Sequence, residues 1–120
     1  MEYDTGMQTV TDVITVTALA GLAAGQFGEL VKAVVDVAQG IMVVSGEMHA
    51  DEEALLLVNG AKQRDLWGIN LYPDRYGSAG FIEFDSVINI RASQDNRSRA
   101  VESAETRMAV ARVVNRLVKV

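Results

Sequence analysis

The sequence predicts an α+β protein: a two-layer, mostly antiparallel sheet with two helices on one face. Three observations carry that expectation. Hydrophobicity alternates with period two through residues 30–48, 66–72 and 81–91, as strands with one buried face require. Apolar residues recur at helical spacing near the start of the chain and again in its last 18 residues. Glycine, asparagine and proline punctuate the patterned runs where turns are needed.

The elements follow in order. Residues 1–12 are polar and without period, so a flexible N-terminal arm is expected, followed by a single domain over 13–120. Val13-Ile14-Thr15-Val16 is β-branched and reads as a short strand. Thr17 then stands where it would cap a helix to Gln26, with Leu19, Leu22 and Ala23 on one face and Gly25 or Gly28 near its end. Across residues 30–48, Val31, Ala33, Val35 and Val37 share one face, and Lys32, Val34 and Asp36 the other. Ala38-Gln39-Gly40 supplies a glycine to close a hairpin. On the return, Met42, Val44, Gly46 and Met48 lie opposite Ile41, Val43, Ser45, Glu47 and His49, so Glu47 and His49 are expected to project together.

Two structures fit residues 51–60. Asp51 could cap a helix with Glu52 and Glu53 in its first turn, or residues 54–58 could form a strand leading into an Asn59-Gly60 turn; the hairpin is the expectation. Trp67, Ile69 and Leu71 form the core face of the next strand, which Pro73 ends. Residues 81–91 are the clearest strand, with Ile82, Phe84, Ile88 and Ile90 on one face and only Ser86 out of place. Ser103 would cap a final helix to Lys119, where Met108, Ala111, Val114, Leu117 and Val118 make the stripe.

Composition removes several classes of function. There is no cysteine, which excludes disulfides, thiolate metal sites and thiol nucleophiles. The apolar run at 13–24 follows Glu2, Asp4 and Asp12 rather than a positive flank, and it is too short to span a bilayer. A soluble, cytoplasmic protein with no membrane partner is expected. Residues 1–60 hold nine acids and one base, whereas 61–120 hold seven acids and ten bases. A pI near 4.7 argues against binding duplex nucleic acid, which needs a basic surface. The sequence requires no cofactor.

The most polar stretch is 89–99, where only Ile90 and Ala92 are apolar and three arginines sit among amides and hydroxyls. Such a set can recognise a small phosphate- or carboxylate-bearing ligand. The expected binding residues are Asn89, Arg91, Ser93, Asn96, Arg97 and Arg99, together with His49 and Asn70 from the polar sheet face. The bland alternative is a solvated face whose arginines pair with Glu83 and Asp85. A second reading is metal-assisted hydrolysis centred on Glu47, His49 and Asp85, although the spacing matches no standard zinc signature. A carboxylate beside His49 would favour its imidazolium form. A third reading is an oligomerising module without a small ligand. Open strand edges favour a homodimer, with Tyr72, Arg75 and Tyr76 as anchor candidates.

Several long segments also resemble a family of small uncharacterised prokaryotic proteins. They are Val31-Lys32-Ala33-Val34-Val35-Asp36, the Gly46-Glu47-Met48-His49-Ala50-Asp51-Glu52-Glu53 run, the Asp65-Leu66-Trp67-Gly68-Ile69-Asn70-Leu71-Tyr72-Pro73 run, and Asp85 through Arg99. The resemblance spans about residues 28–99. Ala92 stands where the pattern has proline, which leaves that loop less rigid. The resemblance implies no activity, so it transfers no catalytic residue.

Overall fold

Alternation in residues 31–44 builds the centre of the molecule. A computed structural model describes residues 6–120. In chain order the main elements are β1 (Gln8–Val10), β2 (Ile14–Thr15), α1 (Val16–Ala24), β3 (Val31–Asp36), β4 (Ile41–Val44), α2 (His49–Val58), β5 (Leu66–Leu71), β6 (Ile82–Glu83), α3 (Ala104–Leu117) and β7 (Val118–Lys119). Five strands form one antiparallel sheet in the order β1-β4-β3-β5-β6, and β2 pairs with β7 in parallel. The fold is therefore α+β with a mainly antiparallel sheet, as expected.

Both faces of that sheet are covered. Val31, Ala33, Val35, Met42, Val44, Trp67, Ile69 and Leu71 pack on one side with Leu19 and Ala23 of α1 and Val110, Val113, Val114 and Leu117 of α3. These are the two helices expected on one face. The opposite positions, Val34, Val43 and Leu66, meet Leu56 of α2 in a smaller second core. Strands buried on both faces read as near-continuous apolar runs, and Val-Val pairs in β3 and β4 are that signal.

Four expectations change. Residues 51–60 lie in a helix and its C-terminal turn, not a hairpin. Asn59 and Gly60 end α2: the Ala61 N–H reaches the Leu56 carbonyl and the Gly60 N–H the Leu57 carbonyl, with Gly60 at φ 98°. Asn-Gly serves a helix C-terminus as well as a hairpin turn because both need a left-handed residue. The β4 strand stops at Val44, since Ser45 adopts φ 71°. Glu47 and His49 consequently do not share a strand face, and His49 begins α2.

The third change concerns residues 81–91, where only Ile82–Glu83 is strand. Ser86 is buried and its hydroxyl accepts from the Ile88 N–H, starting a helical turn. The chain thereby crosses the sheet edge: Ile82 and Phe84 pack on the first core, Ile88 on the second. Fourth, the arm expected over 1–12 contains β1, paired along β4; residues 1–5 lie outside the described residues. Smaller shifts occur at α1, capped by Thr15 instead of Thr17, and at α3, where Ser103 caps as expected but Met108 is exposed.

Candidate functional site

After β6 the chain folds back over the edge of β5, and its polar residues hold it there. The Asn89 side chain donates to the Gly68 carbonyl at 2.9 Å and accepts from the Gly68 N–H at 2.8 Å. It thus acts as a one-residue strand where β6 has ended, and a second bond reaches the Arg99 carbonyl. Gly68 is required beneath it, since a Cβ there would lie 2.6 Å from that of Ser86. Asn96 donates to the carbonyls of Asn89, Ser98 and Ala100 and accepts from the Glu102 N–H. Arg91 donates to the carbonyls of Gln63 and Leu66 and lies 4.2 Å over the Trp67 ring. Its Nε and the Glu53 Oε2 are both buried without partners, and Glu53 is the charge that acts on this guanidinium.

The remaining loop residues face water. Ser93 is exposed. Arg97 approaches Asp95 at 3.7 Å, and Arg99 Nε meets Asp85 at 2.6 Å. Of the six loop residues expected to bind a ligand, Asn89, Arg91 and Asn96 are committed to backbone groups.

A second polar cluster sits at the N-terminal end of α2. His49 is buried there, and its Nε2 lies 2.7 Å from the Ile69 carbonyl. A carbonyl only accepts, so Nε2 carries the proton. Burial, the largest influence, lowers the His49 pKa; the Ile69 bond and Asp85 oppose this, while Lys32 and Arg99 reinforce it. Asp85 does favour the imidazolium form, as expected of a carboxylate, but burial outweighs it and, with the pKa below the ordinary 6.5, the ring is neutral at pH 7. Asn70, on the next residue of β5, directs its Nδ2 to Glu83 Oε1 at 2.8 Å and to the Asp85 carbonyl. Its Oδ1 is buried without a partner.

Glu52 is the deepest charge-bearing group of this cluster. One carboxylate oxygen accepts the Gly46 N–H at 3.0 Å, and the other is buried without a partner. Burial pushes its pKa up to about 9, against the smaller opposing effects of the Gly46 bond and Lys32. Glu52 is thus a neutral acid at pH 7. Lys32, half-buried on β3, holds its Nζ 4.9 Å from the centre of the Phe27 ring. Among the described residues this ammonium makes no ion pair. The same Phe27 lines an open groove of about 480 Å³ together with Gly25, Gln26, Glu47 and Met48. Met48 caps α2 without a side-chain hydrogen bond.

The composite pocket expected around Arg91 and His49 is divided. Arg91 binds at Leu66 and His49 at Ile69, three residues along β5, or roughly 10 Å at strand rise. His49 does feel the charges of Lys32, Asp85 and Arg99, and Asn70, opposite Lys32 in the sheet, reaches the Asp85 carbonyl. For the metal reading, among the described residues no three His, Asp or Glu side chains cluster closely enough to hold an ion. Asp36, on the same strand as Lys32, accepts the N–H groups of Ala38 and Gln39 in the hairpin turn.

Lys32 and Glu52 were not among the residues expected to bind an anion. A signal for Lys32 existed: it is the one base in residues 1–60. No comparable signal marks Glu52, which reads as an ordinary first-turn acid.

Among the described residues no helix is long and apolar enough to cross a membrane. Comparison with curated proteins finds no match, and comparison with solved structures finds none either. A family model described as a protein of unknown function (DUF5674) matches residues 8–117, most of the chain. The chain belongs to the DUF5674 family.

Proposed function

We propose that this protein binds a small anionic ligand in the groove beside Lys32, at the N-terminal end of α2. The observation that carries the reading is Lys32 itself, a half-buried ammonium with no ion-pair partner among the described residues. In a chain of net charge −5, a partly desolvated cation without a carboxylate is best satisfied by an external anion. The first N–H groups of α2 add to it, because an uncapped helix N-terminus favours negative charge. The neighbouring carboxyl, Glu52, is neutral at pH 7 and does not compete. Phe27 and Met48 give the groove apolar walls, so a ligand with a carbon skeleton fits better than a bare ion.

This reading moves the binding residues from the 89–99 loop to Lys32 and His49, with Arg99 at the margin. Thermal stability measured with and without inorganic phosphate tests it. Phosphate is expected to raise the Tm of the wild type, with about tenfold weaker binding in Lys32→Met. An unchanged Tm in the wild type, or an equal shift in the variant, would overturn it.

A further inference from the structure

The His49 ring carries a constraint that simple anion binding does not use. Its Nε2 must donate to the Ile69 carbonyl, so in the neutral ring Nδ1 presents a lone pair. Nδ1 has no hydrogen bond among the described residues and is not among the enclosed polar atoms, so it is open to approach. Asn70 repeats the pattern. Glu83 and the Asp85 carbonyl fix its Nδ2, which leaves Oδ1 turned away from them as a second unused acceptor. Asn70 Oδ1 is an enclosed acceptor without a donor, which is costly, whereas the His49 Nδ1 lone pair on the same face is the acceptor that an outside donor can reach.

We infer that the ligand is an anion that also carries a hydrogen-bond donor, a hydroxyl-bearing phosphate or carboxylate whose hydroxyl donates to His49 Nδ1 while its anionic group meets Lys32. The inference rests on the anion-binding reading above and adds the chemistry of the second group. The charged groups acting on the ring are Lys32, Asp85 and Arg99, two cations against one carboxylate. Burial is the main influence that keeps Nδ1 unprotonated, with Lys32 and Arg99 reinforcing it, and an unprotonated Nδ1 is an acceptor that selects for hydroxyl. A hydroxyl also explains why a buried imidazole rather than a further lysine or arginine stands beside Lys32: a second cation would serve a bare phosphate better.

Because His49 is the single histidine, the side-chain nitrogen resonances of the labelled protein report this ring alone. Four probes separate the claims: glycerol 3-phosphate against propyl phosphate, and glycerate against propionate. The expected result is a neutral Nε2–H ring in the free protein at pH 7. One of the hydroxylated probes then binds about tenfold tighter than its hydroxyl-free partner and shifts Nδ1. His49→Ala is expected to abolish that preference while weaker binding of both partners persists. An Nδ1–H or imidazolium ring at pH 7, or equal binding of the paired probes with Nδ1 unmoved, overturns this inference and leaves anion binding standing. Failure of all four probes to bind overturns anion binding, and this inference with it.

Discussion

Two regions of this molecule are rich in polar groups, and they use them in opposite ways. In the 89–99 loop, Asn89 and Asn96 are saturated with backbone partners, and Arg91 spends its terminal N–H groups on carbonyls and keeps only Nε unpaired. Together they stitch an irregular segment over the edge of β5. At the N-terminal end of α2, Lys32, His49, Glu52 and Asn70 each keep a donor or acceptor unused. Both regions look alike in composition. Hydrogen-bond capacity left over after folding separates a structural tether from a binding group, because satisfied groups have nothing further to offer a ligand.

Removing a tether should produce the largest effect. Asn89→Ala strips partners from the Gly68 N–H and from two carbonyls in a buried setting, so a loss of about 4 kcal/mol is expected in urea unfolding. A loss below about 1 kcal/mol would mean that the loop is not held as described.

Glu52 sharpens the contrast through pH. Its folded pKa, about 9, lies above the ordinary value of 4.5, so the folded state favours the protonated acid. Its stabilising contribution is complete below about pH 4.5 and declines as pH rises toward about 9. Glu52→Gln keeps an acceptor for the Gly46 N–H without a titrating proton. The variant should match the wild type near pH 5 and exceed it by on the order of 2 kcal/mol near pH 8. Parallel stability profiles across that range would show that Glu52 is not held as a neutral acid.

At Lys32 the two kinds of region diverge most clearly. Lys32→Met retains the packing on Phe27 and should leave stability within about 0.5 kcal/mol, while phosphate binding weakens about tenfold. A strongly destabilised variant would place Lys32 with the tethers. The smallest effect belongs to Arg97→Ala. The Arg97 side chain is 71% exposed and its partner Asp95 95% exposed, so neither the Tm nor phosphate binding should change measurably.

Much of the architecture was legible in particular residues. The alternation through Val31–Asp36 and Ile41–Val44, with glycine between, specified the central hairpin and its first core face. Ser103 specified the start of α3, and the Trp67, Ile69 and Leu71 phase specified the core face of β5. Illegible elements were those whose local signals serve two structures. Asn59-Gly60 ends a helix as readily as it turns a hairpin, and Leu55-Leu56-Leu57 has no period of its own. Ile88 and Ile90 continue the alternation of Ile82 and Phe84, yet the chain changes faces at Ser86.

The site divides along the same line. Local pattern singled out His49 and Asn70 as candidate binding residues, and it separated a polar segment at 89–99 from the apolar core. It could not tell which polar groups would be spent on folding, since that depends on partners 20 to 28 residues away, such as Ile69 for His49, Gly68 for Asn89 and Gln63 for Arg91. The amino-acid order alone determined periodicity, turns, caps and the overall α+β class, all of which arise from interactions between near neighbours in sequence. Only the tertiary structure decided which side chains remain unsatisfied, because that is settled by distant segments brought into contact.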